Sequence, residues 1–308
     1  MSRPLIIGHR GAPCVAPEHT EASYRAAFAA GADLVEPDVV VSKDGVLVVR
    51  HEPELGSTTD VAERFEYGGR HTRKRAGRIA ETGWFAEDFT LAELRTLSAR
   101  ERLPQLRRDS AVVGEHARGT RLTQILSLTD LVTLTEQTAP RVGLVIELKH
   151  DGRTRRLGYD FAKLLAEQLD GFWDASPLRD VRWECFEYGL LERMREQNLP
   201  GKRILLIAPA VAEHDEAGPG WLSDAALDRV VAHHHGISVH VSQLSRGLVR
   251  RAHQRGLEIF SYTVRPEPQF LPPAFGGNAA DYLHYLANTG VDALFCDDPA
   301  GAITALGA

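Results

Sequence analysis

The sequence predicts an α/β fold, a TIM (β/α)8 barrel with a small inserted subdomain between barrel strands 2 and 3. Three observations predict it. Short runs rich in Val, Ile and Leu alternate with helical signals, which means a parallel sheet with crossover connections. Nine such runs occur, and one follows its predecessor too closely to be its parallel neighbour. One long stretch between the barrel runs lacks any regular alternation. The 308 residues are read as a single domain, since about 250 is typical of one such barrel.

The strand-like runs are residues 5–8, 34–41, 46–51, 143–149, 181–186, 203–207, 237–241, 257–264 and 293–296. Between them, Thr20 caps a helix over 21–30 that Gly31 ends. Thr90-Leu91-Ala92-Glu93 is a capping-box sequence. Further helices are expected at 123–135, 156–169, 189–197, 224–235, 246–255 and 279–288, with Gly236, Gly256 and Gly290 as C-terminal glycines. Only Ser42-Lys43-Asp44-Gly45 separates the second run from the third, whereas a parallel crossover needs a dozen or more residues. These two runs therefore form an antiparallel hairpin about an Asp-Gly turn, and the remaining runs supply the eight barrel strands. A turn centred between Lys43 and Asp44 places Val41 opposite Val46 and Glu36 opposite His51. The region 52–120, rich in Gly, Arg and Thr, is too long for a plain connection and reads as an inserted subdomain over the barrel mouth.

Composition narrows the function classes. An apolar fraction of 43% suffices for a large core. A net charge of −6 argues against general nucleic-acid or anionic-membrane binding. No run approaches the roughly 18 apolar residues of a membrane span, and no signal-peptide pattern is present, which points to the cytoplasm. Cys14, Cys185 and Cys296 are widely separated and make no disulfide framework. The stretch 64–78 is locally basic through Arg64, Arg70, Arg73, Lys74, Arg75 and Arg78 against Glu66, in the manner of a solvated loop.

The chemistry gathers at strand ends. Glu36, Asp38 and Glu147 end the runs ADLVEPD and GLVIELK, and Glu36 and Asp38, two apart, share one face of an extended strand. Singly, each suits a strand cap or an ion pair. Together on a concave site they repel unless neutralised, and an oxygen-only set suits Mg²⁺ or Ca²⁺ better than zinc. His9 and His51 also end β-runs, at the barrel rim where active sites sit, and two imidazoles there supply an acid and a base. The run His233-His234-His235 is no metal site, because consecutive helical residues do not share a face. Arg10 forks two hydrogen bonds onto a phosphate and Lys149 offers a point charge, with salt bridges inside the carboxylate cluster as the rival role. Two cations, a divalent metal and an acid–base pair suggest phosphoester cleavage. Gly8-His9-Arg10-Gly11 is not a dinucleotide fingerprint.

The segments GHRG, APEHT, GADLVEPDV, LVVRHEP and IELK resemble the glycerophosphodiester phosphodiesterase family, and TTDVAERF, GWFAEDFTLAELRTL and YTVR resemble its longer bacterial branch. The resemblance covers most of the chain. It implies a TIM barrel hydrolysing a small-molecule glycerophosphodiester to glycerol 3-phosphate and an alcohol with Ca²⁺ or Mg²⁺. It further implies His9 and His51 as the acid–base pair and Arg10 as phosphate clamp. Glu36, Asp38 and Glu147 become metal ligands, and Lys149 a phosphate or substrate contact. Glu18 matches a loop glutamate that touches metal or orders the site. His19 stands where the family has asparagine, and Cys185 where it has serine, which puts those hydrogen bonds in doubt. Tyr262 replaces a tryptophan of the shorter branch, either against the glycerol or in the core. Two other readings remain: a phospholipase D-like enzyme on lysophospholipids or sphingomyelin, and an inactive binding protein on the same barrel.

Overall fold

Apolar runs become strands wherever both faces find cover. In the computed structural model, which describes residues 3–76, 79–172, 180–210 and 216–307, the strands are as follows. The first four are β1 (Leu5–His9), β2 (Leu34–Glu36), β3 (Asp38–Val41) and β4 (Leu47–Val49). Then come β5 (Thr72–Ala76), β6 (Ile79–Gly83), β7 (Gly143–Leu148) and β8 (Val181–Cys185). The last are β9 (Lys202–Ile207), β10 (Gly236–His240), β11 (Glu258–Val264) and β12 (Ala293–Cys296). Parallel neighbours run β1, β2, β7, β8, β9, β10, β11, β12 and return to β1, so eight strands close a barrel in chain order. β3 continues β2 beyond Pro37, which has no N–H to give a ladder. The register against β7 is unbroken there, with Leu34 opposite Gly143 and Asp38 opposite Glu147.

Alternation along the strands sorts the core into two layers. Ile6, Val35, Ile146 and Leu205 face the surrounding helices. Ile7, Leu34, Val145, Ile204, Phe260, Ala293 and Phe295 fill the barrel interior, each such fully buried large side chain stabilising the fold by about 1.5–3 kcal/mol. Carried to the C-terminal strand ends, the inward parity gives His9, Glu36, Asp38, Glu147, Glu184, His240 and Asp297. The apolar plug is thus the floor of a polar mouth.

The hairpin departs from the expected register by one residue. Val41 pairs with Leu47, Val40 with Val48 and Val39 with Val49, not Val41 with Val46. The connection has three residues, Lys43-Asp44-Gly45, closed by Gly45 N–H to Ser42 O at 3.0 Å, with Gly45 at φ 78. A three-residue hairpin loop ends on a left-handed residue, which glycine supplies. Arg50 therefore donates its N–H to Asp38 O at 2.9 Å, and His51 lies past the end of β4 and not directly opposite Glu36.

Several helices also differ from expectation. The one expected over 123–135 starts later, as Leu128–Thr138, because Ser127 and Asp130 form a capping box. That expected over 156–169 divides into Asp151–Arg156 and Phe161–Gln168 around Gly158 at φ 88. The helix expected over 224–235 ends at Val231. Gly236 opens β10 instead of capping that helix; a Cβ there would lie 2.6 Å from Glu258 O. Helices Arg108–His116 and Pro299–Leu306 were not anticipated, although Asp298 and Pro299 are a recognisable start signal for the second. Glu21–Ala30, with Thr20 and Gly31 at its ends, and the Thr90–Glu93 capping box form as expected.

Between β4 and β7 lies a second apolar cluster. Leu55, Val61, Tyr67, Phe89, Leu94 and Leu97 pack on Val40 and Val48 of the hairpin, beside the two-stranded ribbon of β5 and β6. The basic stretch is engaged locally: Arg64 with Asp60, Arg70 with Glu93, and Lys74 with Glu87 and Asp88. Arg78 lies outside the described residues. Among the described residues no helix is long and apolar enough to cross a membrane.

Candidate active site

The turn after β1 sets the first two polar groups. Arg10 takes a left-handed conformation at φ 57, followed by Gly11 at φ 92. A Cβ on Gly11 would meet Ser23 Oγ at 2.5 Å, so only glycine lets the turn sit on the following helix. Ser23 Oγ accepts from the Ala12 N–H at 2.8 Å and donates to Arg10 O at 3.0 Å. The Arg10 N–H donates to Glu36 Oε2 at 2.9 Å. Its guanidinium lies 3.2 Å from Glu18 and 3.2 Å from Asp38.

Glu36, Asp38 and Glu147 converge, one oxygen of each lying within 4.8 Å of the others. Burial, then the charges of Asp38 and Glu147, pushes the Glu36 carboxyl well above its usual range. Burial likewise raises Glu147, to about 8. For Asp38 burial acts upward too, but Lys149, His51 and Arg10 outweigh it and hold the group well below its usual value. Three carboxylates thus share a space that does not support three bare negative charges. Lys149 Nζ sits among them, 2.6 Å from Glu147 Oε1 and 3.3 Å from Asp38 Oδ1. Asp38 Oδ1 is buried without a hydrogen bond. A hard divalent cation fits this all-oxygen set.

Each rim histidine is held through Nδ1 by a carboxylate. His9 Nδ1 lies 2.5 Å from Asp297 Oδ1, and His51 Nδ1 lies 2.6 Å from Glu52 Oε1. Burial raises the Asp297 carboxyl, but His9 and Arg107 more than offset it and bring it to about 2. Glu52 is likewise depressed, its burial outweighed by His51 and Arg102. Both carboxylates are ionised near neutrality, so both imidazoles donate from Nδ1 and keep Nε2 as the basic atom. Burial, then Arg10, lowers His9; the same order with Lys149 added lowers His51 to about 3.

The region between β4 and β7 reaches into this arrangement. Arg102 bridges Glu18 (2.6 and 2.8 Å) and Glu52 (2.6 and 2.8 Å). Arg107 joins Asp297 at 2.5 Å to Glu267 at 2.5 Å. Each carboxylate that holds a histidine is therefore held in turn by an arginine from one short segment. Sequence reasoning missed Glu52, Arg102, Arg107 and Asp297. Asp297 alone had a signal, standing two residues past the inward Phe295.

The remaining expected residues take definite places. Glu18 lies apart from the three converging carboxylates, clamped between Arg10 and Arg102. His19, at φ 60, bonds Asp38 Oδ2 at 2.9 Å and Tyr24 OH at 2.9 Å through its two ring nitrogens. Cys185 Sγ donates to Glu187 Oε2 at 2.9 Å. Tyr262 donates its hydroxyl to Ile207 O at 3.0 Å, leaving its ring to line the mouth. His9, Arg10, Glu36, His51, Glu147 and Lys149 all line one cavity of about 390 Å³, with Glu184 on its floor. His233, His234 and His235 form no such group: His234 contacts Glu192, and His235 Nδ1 accepts from the Arg203 N–H.

A parallel barrel with charged side chains gathered at the C-terminal mouth is the layout of a TIM-barrel enzyme. A profile of the glycerophosphoryl diester phosphodiesterase family matches residues 9–301, and the chain belongs to that family of phosphoric diester hydrolases. It is 29% identical over 330 residues to glycerophosphodiester phosphodiesterase GDPD6 of Arabidopsis thaliana, covering 96% of this chain and 84% of the relative. Identity to the glycerophosphodiester phosphodiesterase of Haemophilus influenzae is 28% over 335 residues, covering 96% and 87% respectively. The fold superposes on an Oleispira antarctica phosphodiesterase solved in complex with the product sn-glycerol-3-phosphate. That match has a TM-score of 0.70 at 21% identity and covers 99% of this chain and 97% of the other.

Proposed function

We propose that the chain hydrolyses glycerophosphodiesters to sn-glycerol 3-phosphate and an alcohol, with a divalent cation and two histidines. One observation carries the reading: two imidazoles, each fixed through Nδ1 by a carboxylate, line the cavity into which three carboxylates and two cations converge. Glu36, Asp38 and Glu147 would hold Ca²⁺ or Mg²⁺, which supplies charge neutralisation at a phosphate oxygen. Arg10, and Lys149 once freed from the carboxylates, hold the other phosphate oxygens. Nε2 of one histidine takes the proton of the attacking hydroxyl, whether from water or from the substrate's own 2-hydroxyl. As the bond from phosphorus to the alcohol oxygen breaks, the other histidine, which enters the step as the imidazolium, gives that oxygen its Nε2 proton; the negative charge of the bound phosphodiester favours that charged form. We also read residues 52–120 as one inserted subdomain over the mouth; its separate apolar cluster and the reach of Arg102 and Arg107 support this.

Glycerophosphocholine and lysophosphatidylcholine, assayed with each metal and with chelator, test the reading. Hydrolysis of the first, lost with chelator and in both His9→Ala and His51→Ala, is expected. Turnover of the long-chain lipid alone would replace it with the phospholipase D-like reading, and full activity of either histidine variant would overturn the acid–base pair.

A further inference from the structure

The two sides of the mouth differ in charge. The carboxylates lining the cavity, Glu36, Glu147 and Glu184, all come from β2, β7 and β8. The wall formed by Leu206, His240, Tyr262, Arg265 and Phe270 presents no carboxylate among the described residues. Arg265 is placed there by stacking on Phe270, 5.0 Å from guanidinium carbon to ring centroid. Its nearest ion pair among the described residues is loose, 3.6 Å to Asp297, and its side chain stays 35% exposed. Asp297 is already held at 2.5 Å by both His9 and Arg107, so its longer contact leaves the Arg265 guanidinium loosely paired and open to the cavity. His240 adds a neutral donor. Its Nδ1 accepts from the Ser242 N–H at 3.2 Å, which leaves the proton on Nε2.

From this wall we infer that the enzyme selects glycerophosphodiesters whose alcohol arm is anionic, with Arg265 as the specificity-determining cation and His240 as an added donor. The inference rests on the proposed diesterase reaction. A phosphodiester held between the metal-side carboxylates and the two histidines extends its organic arms along the cavity. Glycerol is uncharged, so the alcohol arm is the one that Arg265 discriminates. A carboxylate on that arm gains a charge-assisted hydrogen bond. A cationic arm such as an alkylammonium meets a like charge, and the Phe270 face that would attract it is taken by Arg265.

The test uses three glycerophosphodiesters with two-carbon alcohol arms of similar size: glycolate, ethylene glycol and ethanolamine. Ratios of kcat/KM are compared, so that a general loss from disturbing Asp297 cancels. The wild-type enzyme is expected to favour the glycolate diester over the ethanolamine diester about tenfold, the combined effect of attracting the one charge and repelling the other at a partly exposed site. Arg265→Gln should bring that ratio within about threefold, Arg265→Lys should keep most of it, and added salt should shrink it in the wild type. Equal kcat/KM on all three diesters, or a ratio unchanged in Arg265→Gln, overturns the inference and leaves the diesterase reading standing. Hydrolysis of none of the three overturns both.

Discussion

Replacing Asp297 by Asn keeps the shape of the site and changes one atom, and the structure says which way that atom will point. Asp297 accepts two hydrogen bonds, from His9 Nδ1 on one oxygen and from Arg107 on the other. Arg107 is itself fixed by Glu267 and has no acceptor to offer. The Asn oxygen must therefore face Arg107, which turns the amide NH2 toward His9. His9 then accepts at Nδ1, carries its proton on Nε2 and is no longer a base. Turning the amide back sets it against the guanidinium, at a cost of about 2–3 kcal/mol for the lost charged hydrogen bond. The imidazolium formed during turnover also loses a neighbouring negative charge, about another 2 kcal/mol. Together these lower kcat by about 10³- to 10⁴-fold, similar to other hydrolases whose carboxylate–histidine pair is changed this way. The assay is kcat at saturating glycerophosphodiester and metal, with Tm measured alongside to separate folding from catalysis. A variant within about tenfold of wild type, with its fold intact, refutes the assigned tautomer.

Other outcomes follow from the same geometry. In metal-free protein the Glu147 carboxyl is raised from 4.5 to about 8. Its folded form therefore prefers the proton, and its contribution to stability is full below pH 4.5 and lost as pH rises through about 8. The Tm of chelated protein should fall across that window, and cation binding at pH 7 should release protons from Glu147 and from the likewise raised Glu36, read by calorimetry in buffers of different ionisation enthalpy. No proton release would count against Glu147 as a ligand. Asp297 behaves oppositely: depressed from 3.8 to about 2, it stabilises above pH 4 and loses that contribution as pH falls toward 2, which Asp297→Asn should abolish in acid-unfolding curves. Arg102→Met leaves Glu18 and Glu52 without their shared partner and should cost about 2–3 kcal/mol in denaturant unfolding, with a fall in kcat through His51; unchanged unfolding would show the bridge to be dispensable. Gly11→Ala drives a methyl into Ser23 and should lower both Tm and kcat; a wild-type Tm would contradict the tight turn.

Much of this was legible because barrels convert sequence order into spatial order. Alternating runs placed the strands, the period of two put Glu36 and Asp38 on one face, and the strand ends put His9 and Glu147 at the mouth. The hairpin register was not legible. A turn of Ser-Lys-Asp-Gly closes with two or three loop residues, and the left-handed state of Gly45 chose three. Arg102 and Arg107 sit in a charged stretch without periodicity, where nothing local marks them off from surface arginines. Their partners lie 50 to 190 residues away, and only the folded chain brings them together. Asp297 was within reach by parity, but beside Asp298 it resembles an ordinary helix start.

The pairing of His9 with Asp297 spans 288 residues. During synthesis at about 5–20 residues per second, the first histidine waits about 15–60 s for the group that fixes its proton. Arg107, made in the interval, can meet Glu267 shortly before, but its pairing with Asp297 waits for the same moment. A nascent or truncated chain already has the metal-side carboxylates and both imidazoles yet lacks the contact that makes one of them a base. In order of synthesis, the last strand of the barrel thus also brings the last component of its chemistry.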